Sequence, residues 1–327
     1  MAGHSTDTGT ATVPGRIRVR EGYERPAPVG RPPQRPGLGV SLVLATGLGA
    51  IGLAAFLAVS AVFAPAGPPA EAAPEPAAEA PVPDGDAPAA GSDPAVLTES
   101  ALYNSGEMAE VTCVAPDLNA DDKESMENFL HEMSDCLDTA WSEQFGGTGL
   151  EFEPPNRVYW YASGRSPCGT YPTEGTAAFY CQANKGLYLG VEDIVRNSGD
   201  SEYPEAYTFL LSHEYAHHVQ GEAGILGYFH TARGAASGNE RDLLTRRSEL
   251  QANCLGGAFL GAAEESFPIG REEHAHILED AELRGDYSAE DRTHGSPGNG
   301  RMWTAHGMDR ADPAACNTWA APEDVVE

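Results

Sequence analysis

The chain has 327 residues, enough for two average domains, but its composition keeps much of that length out of any folded core. Its formal net charge is −29; the first 36 residues contribute +3, so the remainder carries −32. So acidic a surface repels polyanions, which excludes nucleic-acid binding.

Residues 1–37 are rich in Arg, Gly and Pro with little apolar content, and read as a disordered tail. Residues 38–63, LGVSLVLATGLGAIGLAAFLAVSAVF, carry no charge. As a helix they would reach about 39 Å, enough to cross a hydrocarbon core of about 30 Å with some tilt. A cleaved signal peptide is the rival reading, since small residues near AVSAVFAPA could form a cleavage site. The long preceding region and the length of the apolar run favour an uncleaved signal anchor. Arg16, Arg18, Arg20, Arg25, Arg31 and Arg35 outnumber Asp7, Glu21 and Glu24 before that run, which places the N-terminus in the cytoplasm and the rest outside. The lipid bilayer is therefore an expected partner, through residues 38–63.

Residues 64–95 are mostly Ala, Pro, Gly and acid, an extended stalk. A single folded domain is expected over residues 96–320. All six cysteines fall on the outer side, where disulfides persist. Proximity in sequence pairs Cys113 with Cys136 and Cys168 with Cys181; elimination leaves Cys254 with Cys316, unless Cys254 is a buried free thiol.

Within the domain, residues 121–145 place Met126, Phe129, Leu130, Met133, Leu137 and Trp141 at three-and-four spacing, which predicts an amphipathic helix. NRVYWYAS (156–163) and KGLYLGV (185–191) read as strands. A helix is expected from Pro204 to just before Gly221, and another over 240–265. A helix, a few strands and then helices give an α+β fold.

The stretch LLSHEYAHHVQGE (211–223) holds three of the chain's ten histidines. His213 and His217 are one helical turn apart, so both imidazoles can reach one ion, and Glu214 can hold a water bound to that ion without ligating it. This pattern arises by chance in roughly three of a hundred chains of this composition, so context must support it. Ala206, Phe209 and Leu210 project on the same side and would bury the histidines, and buried histidines need partners.

A hydrolytic zinc site needs a third ligand and an open position. The metzincin continuation fails, with Gln220 and Ala223 at its required Gly and His. Glu249 on the following helix is the better candidate: Leu250, Ala252 and Leu255 bury its neighbourhood, and Gly256 and Gly257 permit close helix approach. Asn253, one turn further on, can accept a hydrogen bond from a zinc-binding imidazole. His218 points elsewhere and is expected to pack or support the site. His230, His274 and His276 follow no ligand spacing and are expected at the surface.

HEYAHHVQ, then SELQANCLGG, then THGSPGNGRMW, with SPCGTY and FYCQANKGLYLG upstream, resemble the neutral zinc metallopeptidase family of bacterial membrane-anchored proteins. The resemblance implies a single zincin-like domain, Zn2+ bound by His213, His217 and Glu249, and Glu214 as catalytic base. Three departures stand out: Asn253 and Asn184 replace Asp, and SPGNGRMW differs from the family's stretch after its His-Gly pair. A neutral Asn253 is a weaker acceptor than Asp. His294, in what reads as a Gly- and Pro-rich loop, is a candidate donor to the oxyanion formed in amide hydrolysis.

These features predict a membrane-anchored peptidase cleaving peptide or protein substrates outside the membrane. A zinc-containing envelope protein that binds partners without cleaving them is the alternative, and a metal-free structural domain the third. Substrate preference and oligomeric state are not encoded in any motif.

Overall fold

Asp122 starts the first long helix of the computed structural model, which describes residues 93–172, 176–198, 201, 203–288 and 293–327. Its carboxylate accepts hydrogen bonds from the N–H groups of Glu124 (2.9 Å) and Ser125 (3.3 Å), satisfying donors that have no partner inside the helix. The six apolar residues at three-and-four spacing are all fully buried along the helix that follows. Each such side chain contributes about 1.5–3 kcal/mol on leaving water.

The elements run α1 (Ala95–Glu99), α2 (Lys123–Gly146), β1 (Asn156–Trp160), β2 (Gly164–Ser166), β3 (Gly169–Tyr171), β4 (Ala178–Cys181), β5 (Gly186–Gly190), α3 (Val191–Asn197), α4 (Pro204–Glu222), α5 (Ile225–Ala235), α6 (Asn239–Ala263), α7 (Arg271–Leu283) and α8 (Pro297–Arg310). The described residues form a mixed helix-and-sheet unit. The expected tail, membrane helix and nearly all of the stalk lie outside them. No helix among the described residues is long and apolar enough to cross a membrane.

β5 is the middle strand of a three-stranded sheet, parallel to β1 and antiparallel to β4. All five of its residues are buried, as a strand covered on both faces requires. β2 and β3 form a separate antiparallel pair. α4 packs against α2, β4 and β5, and against α5, α6 and α7, so it lies at the centre of the fold.

Three sequence expectations are corrected. β1 ends at Trp160, short of residue 163. α4 continues through Gly221 to Glu222; the chain turns at Gly224, whose φ of +76° suits a residue without a Cβ. SPGNGRMW is the start of a helix: Ser296 caps α8, its hydroxyl accepting from the Asn299 N–H at 3.3 Å, and Pro297 takes the first helical position, where its missing N–H costs nothing. Among the described residues there, 293–296 precede the helix.

The disulfides join Cys113 to Cys136, Cys168 to Cys181 and Cys254 to Cys316. The last ties α6 to the segment after α8.

Candidate metal centre

α4 presents His213 and His217 on one face because they are four residues apart, and that face is buried by Ala206, Phe209 and Leu210, as their spacing predicts. Two sets of contacts hold the helix in place. Tyr215, between the two histidines, donates its hydroxyl to Asp138 Oδ1 of α2 at 2.7 Å, and Asp138 also receives the Arg157 guanidinium from β1. Burial raises the Asp138 pKa, against the opposing pull of Tyr215 and Arg157. Beside Tyr215, whose ring it meets edge-on, His218 is fully buried, its Nε2–H donating to the Glu153 carbonyl at 2.7 Å and its Nδ1 lying 3.2 Å from the Tyr180 hydroxyl. Burial lowers the His218 pKa, and its ring packs edge-on against Phe152, Tyr180 and Tyr215.

α6 crosses α4 closely enough to bring in the third group. A Cβ on Gly256 would stand 3.0 Å from Ser212 Oγ and 3.1 Å from the His213 nitrogen, so any larger residue there would push the helices apart. Glu249 Oε2 lies 3.3 Å from the Nε2 atoms of both His213 and His217. The three potential ligand atoms are all within 4.8 Å of one another. Ligand atoms about 2.0–2.1 Å from a tetrahedral zinc ion stand roughly 3.3–3.4 Å apart, which the two edges to Glu249 match.

The electrostatics agree. Burial disfavours charge on His217, but Glu249, with Glu214 assisting, outweighs it and pushes the ring up to about 9. Burial also disfavours the Glu249 carboxylate, which His217 and His213 nevertheless hold well below the usual carboxylate range. Both shifts express one demand: positive charge among these three groups, whether a proton or a metal ion. Glu214 is half-buried beside the cluster and close enough for its charge to act on His217.

Each imidazole turns its other nitrogen to an amide oxygen. His213 Nδ1 is 2.8 Å from Asn253 Oδ1, the partner expected from sequence, and His217 Nδ1 is 2.8 Å from Gln220 Oε1. Sequence reasoning did not single out Gln220 for this contact, although three residues along a helix from a ligand is a position that can reach it. His294 is not brought into the cluster by any described contact. Its exposed ring lies 2.8 Å from Thr293 Oγ1, and its N–H donates to Asp286. The adjoining Gly295 packs against Leu250, the neighbour of Glu249. Asn184 lies in the turn between β4 and β5 and donates to the Tyr188 hydroxyl at 3.0 Å.

Of the histidines expected at the surface, His230 is exposed on α5, close enough to His217 for the charges of the two rings to repel. His274 and His276 are half-buried. His276 binds the buried Glu205 at 2.6 Å and stacks on Tyr203. A buried carboxylate at the start of α4 draws that ring inward, which the histidine's spacing could not reveal.

Two imidazoles and a carboxylate from packed helices, with a glutamate directly after the first histidine, are the donor set of a zinc hydrolase. The chain belongs to the family described as "putative neutral zinc metallopeptidase", whose model matches residues 87–319. It is 27% identical over 193 residues to the uncharacterized protein YpfJ of Escherichia coli (strain K12), a match covering 55% of this chain and 66% of the relative. It is 30% identical over 180 residues to the uncharacterized protein Rv2575 of Mycobacterium tuberculosis (strain ATCC 25618 / H37Rv), covering 48% of this chain and 59% of the relative. The chain thus spans less than two thirds of the length of either. No solved structure matches it.

Proposed function

We propose that the chain is an HExxH-type zinc peptidase, anchored by residues 38–63, with a zincin-like domain at 96–320 that cleaves peptide bonds outside the membrane. The observation that carries this reading is the meeting of His213, His217 and Glu249 with all three ligand atoms within 4.8 Å of one another, and Glu214 beside them. A zinc ion held by His213, His217 and Glu249 would supply the Lewis acidity that peptide-bond hydrolysis needs.

The remaining steps belong to the protein. His213 and His217 present Nε2, and Glu249 neutralises charge from α6. Glu214 accepts the proton of the attacking water and delivers it to the leaving amine. Asn253 orients the His213 ring. His294, beside a glycine that lets a substrate approach, donates to the developing oxyanion once substrate is bound. The arginine-rich start and the acidic remainder support the cytoplasmic N-terminus and outer domain.

The second reading, a zinc-containing envelope protein that binds without cleaving, draws on Asn253: a neutral oxygen faces His213 where a carboxylate would leave the ring more basic. Glu214→Gln separates the two. The variant is expected to keep one zinc per chain while hydrolysis of a mixed peptide library disappears; Glu249→Ala is expected to lose zinc. A wild-type protein that holds zinc but cleaves nothing in the library favours the binding module, and full zinc retention by Glu249→Ala removes that residue from the ligand set.

A further inference from the structure

Gln220 and Gln251 are both fully buried, and their amides form a chain whose direction is fixed at its far end. Trp319 Nε1–H, which can only donate, lies 3.1 Å from Gln251 Oε1. The Cys316 carbonyl, which can only accept, lies 3.1 Å from Gln251 Nε2, and the same nitrogen is 2.7 Å from the Tyr103 hydroxyl, which donates onward to the Leu97 carbonyl at 2.9 Å. Gln251 is therefore held with its oxygen toward Trp319.

The same oxygen accepts from Gln220 Nε2 at 3.0 Å, and Gln220 Nε2 also donates to the Ser248 carbonyl at 2.8 Å. Reversing Gln251 would set donor against donor and acceptor against acceptor, reversing Gln220 would set acceptor against acceptor, and each buried group left unpaired costs about 1–3 kcal/mol. Gln220 must accordingly offer its oxygen to His217 Nδ1, at 2.8 Å. A carbonyl oxygen cannot donate, so Nδ1 has to carry the hydrogen.

We infer that Gln220 is a positioning residue for His217. Through Gln251 and Trp319, the fold dictates the Nδ1–H form of that imidazole and leaves Nε2 as its only free lone pair, aimed at Glu249 Oε2 and the metal position between them. The inference rests on the zinc reading above and adds what holds the second histidine ready. The relay joins α4 and α6 to Tyr103, near the start of the domain, and to Cys316 and Trp319 beyond α8, so the ligand's orientation is specified by residues far from it in sequence.

Two substitutions in the full-length protein separate this role from packing, with zinc affinity read by chelator competition. Gln220→Met keeps a side chain of similar length but removes the acceptor, and is expected to weaken zinc binding by about 10- to 100-fold. Gln220→Glu keeps an oxygen facing Nδ1–H, and is expected to bind zinc more tightly than Gln220→Met, although losing the donor to Ser248 and Gln251 lowers its stability. Circular dichroism of the metal-free variants checks folding. Nitrogen NMR of His217 in the zinc-loaded wild-type protein is expected to show a protonated Nδ1, a readout that needs no variant. Wild-type affinity in Gln220→Met, or a His217 with Nδ1 unprotonated, overturns the relay. A wild-type protein that binds no zinc overturns the zinc reading itself.

Discussion

Asn253 and Gln220 face the two imidazoles with uncharged oxygens, each 2.8 Å from Nδ1. An amide oxygen orients the ring without pushing as much electron density into it as a carboxylate, so ligand strength and metal acidity are both set by this choice. Asn253→Ala is expected to weaken zinc binding by about 10- to 100-fold, and Asn253→Asp to tighten it. Chelator competition checks both directions, and an aspartate variant with weaker zinc binding would rule out this account. The ligands themselves were legible because helical spacing and apolar neighbours are local properties. Gln220 was not, because which way an amide points depends on Ser248, Gln251 and Trp319, and no local pattern brings those together. Glu205 hid the inward turn of His276 in the same way.

At the scale of elements, the helices carrying the site were readable from periodicity: α2, α4 and α6 lie close to where apolar spacing places them. α8 was not, since Gly298 and Gly300 resemble a loop in sequence. In the structure small residues are what let α8 lie against α6. A Cβ on Gly257 would stand 2.5 Å from the Thr304 carbonyl oxygen, and the obstacle is backbone that cannot rotate aside. Gly257→Ala is therefore expected to force the helices apart at a cost of about 1–3 kcal/mol, lowering the melting temperature by several degrees. Gly298 in the same helix has nothing within 4 Å of a built Cβ, so Gly298→Ala should leave stability unchanged or raise it by up to about 1 kcal/mol. Thermal melts of the two variants test the contrast; equal effects would mean that close packing is not why Gly257 is there.

For the whole molecule, the cysteines connect fold to compartment. All three pairings expected from order along the chain are the ones formed, which elimination could reach because neighbouring cysteines pair and leave a single remainder. In the chain-entropy model the Cys254–Cys316 bridge, closing a separation of 62 residues, contributes about 4 kcal/mol, against about 3 kcal/mol for Cys168–Cys181 across 13. Such bridges form and persist in an oxidising compartment, which supports the proposed placement of the domain outside the membrane. Protease added to intact cells is expected to cut in the stalk and release a domain in which peptide mapping finds the three linkages. Replacing Cys254 and Cys316 together with alanine is expected to lower its melting temperature by on the order of 10 °C, more than the same change at Cys168 and Cys181. The larger effect has a structural reason beyond loop length. Cys316 also supplies the carbonyl that pins Gln251, so freeing it loosens the segment that anchors the relay to His217. Zinc binding should consequently weaken in the Cys254/Cys316 variant and not in the Cys168/Cys181 variant. A domain that stays protected in intact cells would reverse the orientation, and equal zinc affinity in the two variants would detach the bridge from the site.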